Sequence, residues 1–140
     1  MKKFFYIFLA LFVIVSICFA KDTEKTADSC RQKGLTYYKS GKYELAIKEY
    51  NKAIKLKPDF DFAYSNRGYA EFMLQHFNEA LNDFNIALSL NPSNSDALVK
   101  RGKTEISMNN KSGACDDFFK AAGLNNDEAK MYIIKYCSLK

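Results

Sequence analysis

One spacing governs this chain. Gly34, Gly68 and Gly102 stand 34 residues apart, and so do Ala46, Ala80 and Ala114. Tyr50, Phe84 and Phe118 keep the step, as do Ala53, Ala87 and Ala121, then Pro58 and Pro92, with Asn126 where a third proline would fall. Composition does not place several columns at one spacing, so the unit of structure is a repeat that buries its faces against its own copies. Each period divides into two helix-length segments: 27–40 with 43–56, 61–74 with 77–90, and 95–108 with 111–123. Ser40-Gly41-Lys42 and Asn109-Asn110 break the chain within periods, and Lys57-Pro58-Asp59 and Asn91-Pro92-Ser93 break it between them, since proline cannot continue a helix. The small residues at Gly34, Ala46 and their equivalents let two antiparallel helices approach closely. The pairs Tyr50 with Ala53, Phe84 with Ala87 and Phe118 with Ala121 form an apolar stripe on each second helix.

With small, aromatic, Ala and Pro columns at these offsets, residues 27–128 resemble the tetratricopeptide repeat family. The resemblance implies an all-α, right-handed helical-hairpin solenoid of three repeats, 27–60, 61–94 and 95–128. A last hairpin needs a cover, and residues 127–138 supply an apolar face through Ala129, Tyr132, Ile133, Tyr136 and Cys137, with Lys130 and Lys135 outside it.

Ahead of the repeats, Met1, Lys2 and Lys3 give a positive start and residues 4–20 carry no charge, the layout of a signal peptide that is short for a spanning helix. Residues 21–26 then read as a short linker. Cleavage after Ala20 would follow the small residues Cys18 and Ala20. Val15-Ser16-Ile17-Cys18 also resembles a lipoprotein box, in which Cys18 would be acylated, although Ile17 departs from it. The expected location is therefore periplasmic, secreted or envelope-associated, with membrane contact only through an uncleaved signal or a lipidated Cys18.

The formal charge is +5 and falls to +3 without Lys2 and Lys3, and no basic stripe with interleaved aromatics crosses the repeats, so nucleic acid is not an expected partner. Catalysis is not expected either. The single histidine, His76, falls at a helix turn without a nucleophile motif, and no phosphate loop or Cys-x-x-Cys is present. Asp116-Asp117 are adjacent on a helix and point about 100° apart, which suits a charged surface better than a metal site. No cofactor is expected.

What remains is recognition. The family lines its groove with the first helix of each repeat, and the matching positions here include Arg31, Leu35, Tyr38, Phe62, Asn66, Tyr69, Phe72, Lys100 and Lys103. Aromatics offer contact area and Asn66 offers paired donor and acceptor groups, a combination suited to an extended peptide, with at least two of Phe62, Tyr69 and Phe72 exposed in the groove. Chaperone-binding members hold acidic peptide C-termini with a carboxylate clamp. Arg31, Asn66 and Lys100 fit that pattern, while Leu35 and Asp96 stand where Asn and Lys are expected, and Asp96 would repel a carboxylate. A non-catalytic interaction module is thus the main reading. The alternatives are a structural element that self-associates through a basic first and an acidic second repeat, or an accessory subunit of a surface enzyme.

An oxidising compartment permits cysteine pairing. Gly113-Ala114-Cys115-Asp116-Asp117 followed by Tyr136-Cys137 resembles the tail of exported bacterial repeat proteins, which implies a Cys115–Cys137 disulfide between the last hairpin helix and its cover, two buried thiols being the alternative. Cys30 is expected to remain a buried thiol.

Overall fold

The computed structural model describes residues 2–138, and of residues 2–12 and 14–20 the backbone alone. Its helices are α1 (Lys2–Lys39), α2 (Tyr43–Leu56), α3 (Asp61–Met73), α4 (Phe77–Leu90), α5 (Ser95–Ser107), α6 (Lys111–Gly123) and α7 (Asp127–Tyr132), and a π-helical turn, Ile133–Cys137, follows. Among the described residues there is no strand. Residues 21–26, expected as a linker, are helical and continue α1: the segment holds no Pro or Gly to break it. Side chains bearing on a signal peptide over residues 1–20 and on acylation of Cys18 lie outside the described residues. Among those described, no helix is long and apolar enough to cross a membrane.

Hairpins α1/α2, α3/α4 and α5/α6 pack internally, and α2 on α3 and α4 on α5 join them into a helical-hairpin solenoid. The second-helix stripe is fully buried: Ala46, Tyr50 and Ala53, then Ala80, Phe84 and Ala87, then Ala114, Phe118 and Ala121, against Ala27, Ala63, Ala70 and Ala97 of the first helices, which are buried as fully. Glycine faces the aromatic of each stripe. A Cβ on Gly34 would lie 2.5 Å from Tyr50 Cε1, and one on Gly102 2.6 Å from Phe118 Cε1, so the ring occupies the space that a side chain would need.

The connectors inside hairpins put Gly41, Gln75 and Asn109 in the left-handed region, at φ of 71°, 64° and 61°. The third connector between hairpins departs from the others. Instead of a proline turn, Asn125 takes φ 62° and Asn126 caps α7 by accepting from Ala129 N at 3.0 Å, just as Asn109 precedes Asn110, whose side chain accepts from Gly113 N. The cover is therefore joined by the kind of turn used within a hairpin. Phe118 stacks on Tyr132 at 5.0 Å, and Tyr132 on Tyr136 at 6.0 Å. Cys115 and Cys137 form a disulfide across this contact, with Cα atoms 5.7 Å apart. Cys30 is free and half-buried rather than buried.

A polar seam ties the two helices of each hairpin together and, through an asparagine, ties the second and third hairpins to the one before. Arg67 on α3 donates through Nε and Nη2 to both carboxylate oxygens of Asp83 at 2.8 and 2.6 Å, and through Nη1 to Asn51 of the preceding repeat at 2.6 Å. Arg101 repeats this with Asp117 and Asn85, at 2.7 Å in every bond. Lys33 and Glu49 hold the same station in the first repeat, 3.4 Å apart. Asp117, expected on a charged surface, is thus buried as the partner of Arg101.

Candidate functional site: a two-chambered groove

Along the first helices Tyr38 stacks on Tyr69 at 5.4 Å and Tyr69 on Phe72 at 5.8 Å, and Phe72 meets the tilted ring of Phe77, at the start of α4, at 5.7 Å. A three-residue spacing brings Tyr69 and Phe72 to one helical face, and the packing of α1 beside α3 sets Tyr38 against Tyr69. Two cavities adjoin at Tyr69. One, of about 170 Å³, is lined by Leu35, Tyr38, Tyr50, Asn66, Tyr69 and Lys100. The other, of about 200 Å³, is lined by Tyr69, Asp96, Lys100, Lys103 and Glu128.

The structure therefore brings together six of the residues expected in a groove: Leu35, Tyr38, Asn66, Tyr69, Lys100 and Lys103. It leaves Arg31, Phe62 and Phe72 out of both cavities. Arg31 donates through Nε to Asp28 Oδ1 at 2.9 Å and lies over the Phe60 ring at 5.7 Å, so a carboxylate one turn back on its own helix has claimed its charge. Phe62 is 52% exposed, whereas Tyr69 and Phe72 are half-buried in the stack. Tyr50, placed in the core stripe by its period, also closes the floor of the first cavity, and burial pushes its hydroxyl pKa up to about 12. Glu128 was not expected here at all. It reaches the groove from the cover, whose position the Asn125-Asn126 turn sets, and the echo of Asn109-Asn110 was the signal for it.

Electrostatics distinguish the two lysines. Lys103 is 3.5 Å from Glu128 Oε1 and donates to the Tyr69 hydroxyl at 3.4 Å. Lys100 is half-buried, and its ammonium sits 5.1 Å over the Tyr69 ring with no carboxylate within 4 Å among the described residues. Burial holds its pKa below the ordinary lysine range, with Asp96 pulling the other way. The Asn66 amide likewise has no hydrogen-bond partner among the described residues. Burial similarly raises Tyr38 above the ordinary tyrosine range, keeping that ring a neutral hydrogen-bonding wall. His76 lies at the α3–α4 turn, where its Nδ1 is 2.8 Å from Glu71 Oε2. Among the described residues, no group of three or more His, Cys, Asp or Glu side chains is placed to hold a metal ion.

A stack of helical hairpins with an amide and an unpaired ammonium in a tyrosine-walled groove defines a class of helical-repeat binding proteins. Models described as TPR repeat and Tetratricopeptide repeat match residues 34–75 and 62–94. The first TPR of Spaghetti (RPAP3) bound to the HSP90 peptide SRMEEVD is 32% identical, with a TM-score of 0.78 over 81% of this chain and 92% of that one. The second TPR domain of human RPAP3 in complex with the HSP70 peptide SGPTIEEVD is 28% identical, with a TM-score of 0.76 over 84% and 99% of the two chains. The TPR2B domain of yeast Sti1, in a complex with pHsp70, is 27% identical, with a TM-score of 0.74 over 80% and 93%. No curated protein matches by sequence. The chain belongs to the tetratricopeptide repeat family.

Proposed function

We propose that this protein is a non-catalytic interaction module that holds an extended peptide segment of a partner protein in the groove, with a carboxylate of the peptide on Lys100 and Asn66. The observation that carries this reading is a pair of groups in one cavity with no protein partner among the described residues: a half-buried ammonium without a carboxylate within 4 Å and an amide without a hydrogen bond. Both groups keep contact with water inside a tyrosine-walled cavity, and a ligand carboxylate can accept from the ammonium and the amide together, a charge-assisted pair of bonds. Leu35, Tyr38 and Tyr50 around them offer apolar contact to the neighbouring side chain. Similar structures hold peptides, which supports the mode of binding. The module is proposed to act in an envelope-associated or secreted assembly, a reading supported by the basic start and uncharged run of residues 1–20.

The test is a peptide array with free C-termini, probed with the full chain in mild detergent and followed by fluorescence polarisation. Lys100→Glu and Asn66→Ala are expected to weaken the selected peptides by about tenfold or more, with helicity by circular dichroism unchanged. Peptides that bind both variants as well as the parent would place recognition elsewhere.

A further inference from the structure

We infer that the groove selects a peptide in which one carboxylate neighbours a basic side chain, the carboxylate seated between Lys100 and Asn66 and the basic group on Asp96. This rests on the groove reading above and adds the chemistry of the partner to it.

The second cavity carries two ammonium and two carboxylate groups. One pair is internally satisfied, since Lys103 and Glu128 lie 3.5 Å apart. The remaining two are not. Lys100 has no carboxylate within 4 Å among the described residues. The exposed Asp96 has no cation there either, and its Oδ1 accepts only from the neutral amide of Asn126 at 3.3 Å. Lys100 and Asp96 attract one another across the chamber without touching, so each keeps room for a ligand group of the opposite sign, and Tyr69 and Lys100 connect this chamber to the first.

A ligand with two adjacent carboxylates would satisfy Lys100 and set its second charge against Asp96, with the Lys103 ammonium already engaged by Glu128. A ligand with one carboxylate and one cation satisfies both Lys100 and Asp96. Like-charge juxtaposition rejects wrong partners and opposite charge fixes register, so Asp96 acts as the selecting residue. The apolar lining of the first cavity by Leu35, Tyr38 and Tyr50 places an aliphatic residue beside the carboxylate.

Short alanine-based peptides ending in leucine test this, measured by fluorescence polarisation against the full chain in mild detergent. One carries lysine before the last residue with a free C-terminus, one carries glutamate there, and one is the lysine peptide with an amidated C-terminus. The free lysine peptide is expected to bind about tenfold tighter than either of the others, and Asp96→Lys to reverse the preference between lysine and glutamate while the amide stays weak. Equal or tighter binding of the glutamate peptide to the parent, or an unchanged ratio in Asp96→Lys, overturns the selection. If binding of the free peptides depends on Lys100, tested with Lys100→Ala, the groove reading survives that result. If no free-carboxylate peptide, from this set or the array, binds in a Lys100-dependent way, both fall together. Circular dichroism on each variant, with Asp96→Asn as a milder change expected to shrink the preference, keeps misfolding from imitating either outcome.

Discussion

Asn66 and Arg67 are neighbours in the chain, as are Lys100 and Arg101, and the two members of each pair meet opposite fates. Successive residues on a helix point about 100° apart, so Arg67 and Arg101 enter the seam while Asn66 and Lys100 enter the groove. In the seam each guanidinium meets a buried carboxylate on two bonds and an asparagine of the preceding repeat on a third. In the groove the amide and the ammonium meet no such partner. The same helices therefore use polar groups in two ways: paired ones set how helices dock, and those with no protein partner among the described residues face the cavities.

The sharpest way to break this contrast is to remove a partner from the seam. Asp117→Ala leaves the Arg101 guanidinium without its bidentate acceptor and is expected to destabilise the fold by about 3 kcal/mol in urea denaturation. A loss below about 0.5 kcal/mol, the usual size for an exposed position, would show that the seam does not hold the hairpins together. Lys100→Met should move stability in the opposite direction. It removes a half-buried charge with no carboxylate within 4 Å among the described residues and puts an unbranched apolar chain in its place, which outweighs the lost ammonium contact with the Tyr69 ring, for a gain of about 1 kcal/mol together with loss of peptide binding. If stability falls by a similar amount, Lys100 belongs to the framework.

The smallest effect concerns an exception beside the seam. Glu105 Oε2 is buried without a hydrogen-bond partner among the described residues, and burial, then Asp117, push this carboxyl above its ordinary range while Arg101 pulls it down. A carboxyl with a raised folded-state pKa contributes stability that is present below the ordinary glutamate value and lost as pH rises through the folded value. Glu105→Gln keeps an acceptor for Asn110, so it should stabilise by at most about 1 kcal/mol at neutral pH, with the gain vanishing below about pH 4. Melting curves of both proteins across that range check the sign, and a gain that persists in acid would assign the effect to packing.

The helices were legible because breakers and the 34-residue columns mark their ends independently. Observed starts at Tyr43, Asp61, Phe77, Ser95 and Lys111 agree with that division. Leu35, Tyr38, Asn66, Tyr69, Lys100 and Lys103 were named through the family's groove pattern on the first helices, and they line the two cavities here. Arg31, named in the same way, does not, because position within a repeat does not reveal that Asp28 takes its charge. The seam was written in the sequence as Lys33, Arg67 and Arg101 with Glu49, Asp83 and Asp117, columns as regular as the glycines, but charged columns suggest solvent until the helix opposite is known. Glu128 depended on the register of the cover, which is fixed by one asparagine in a left-handed turn rather than by any periodic signal.

The Cys115–Cys137 bond gives the array a direction. In a stack whose units touch only their neighbours, opening spreads inward from the ends, and a covalent loop across the last contact makes that end the costlier one to open. Loosening then advances from the amino-terminal side. Tyr38 and its wall of the first chamber are released early, while Lys100, Asp96 and Glu128 stay assembled on the fastened side until late. On the proposed reading, a peptide that first engages the fastened half would meet Lys100 and Asp96 already in place, and its remaining length would draw the looser repeat closed behind it.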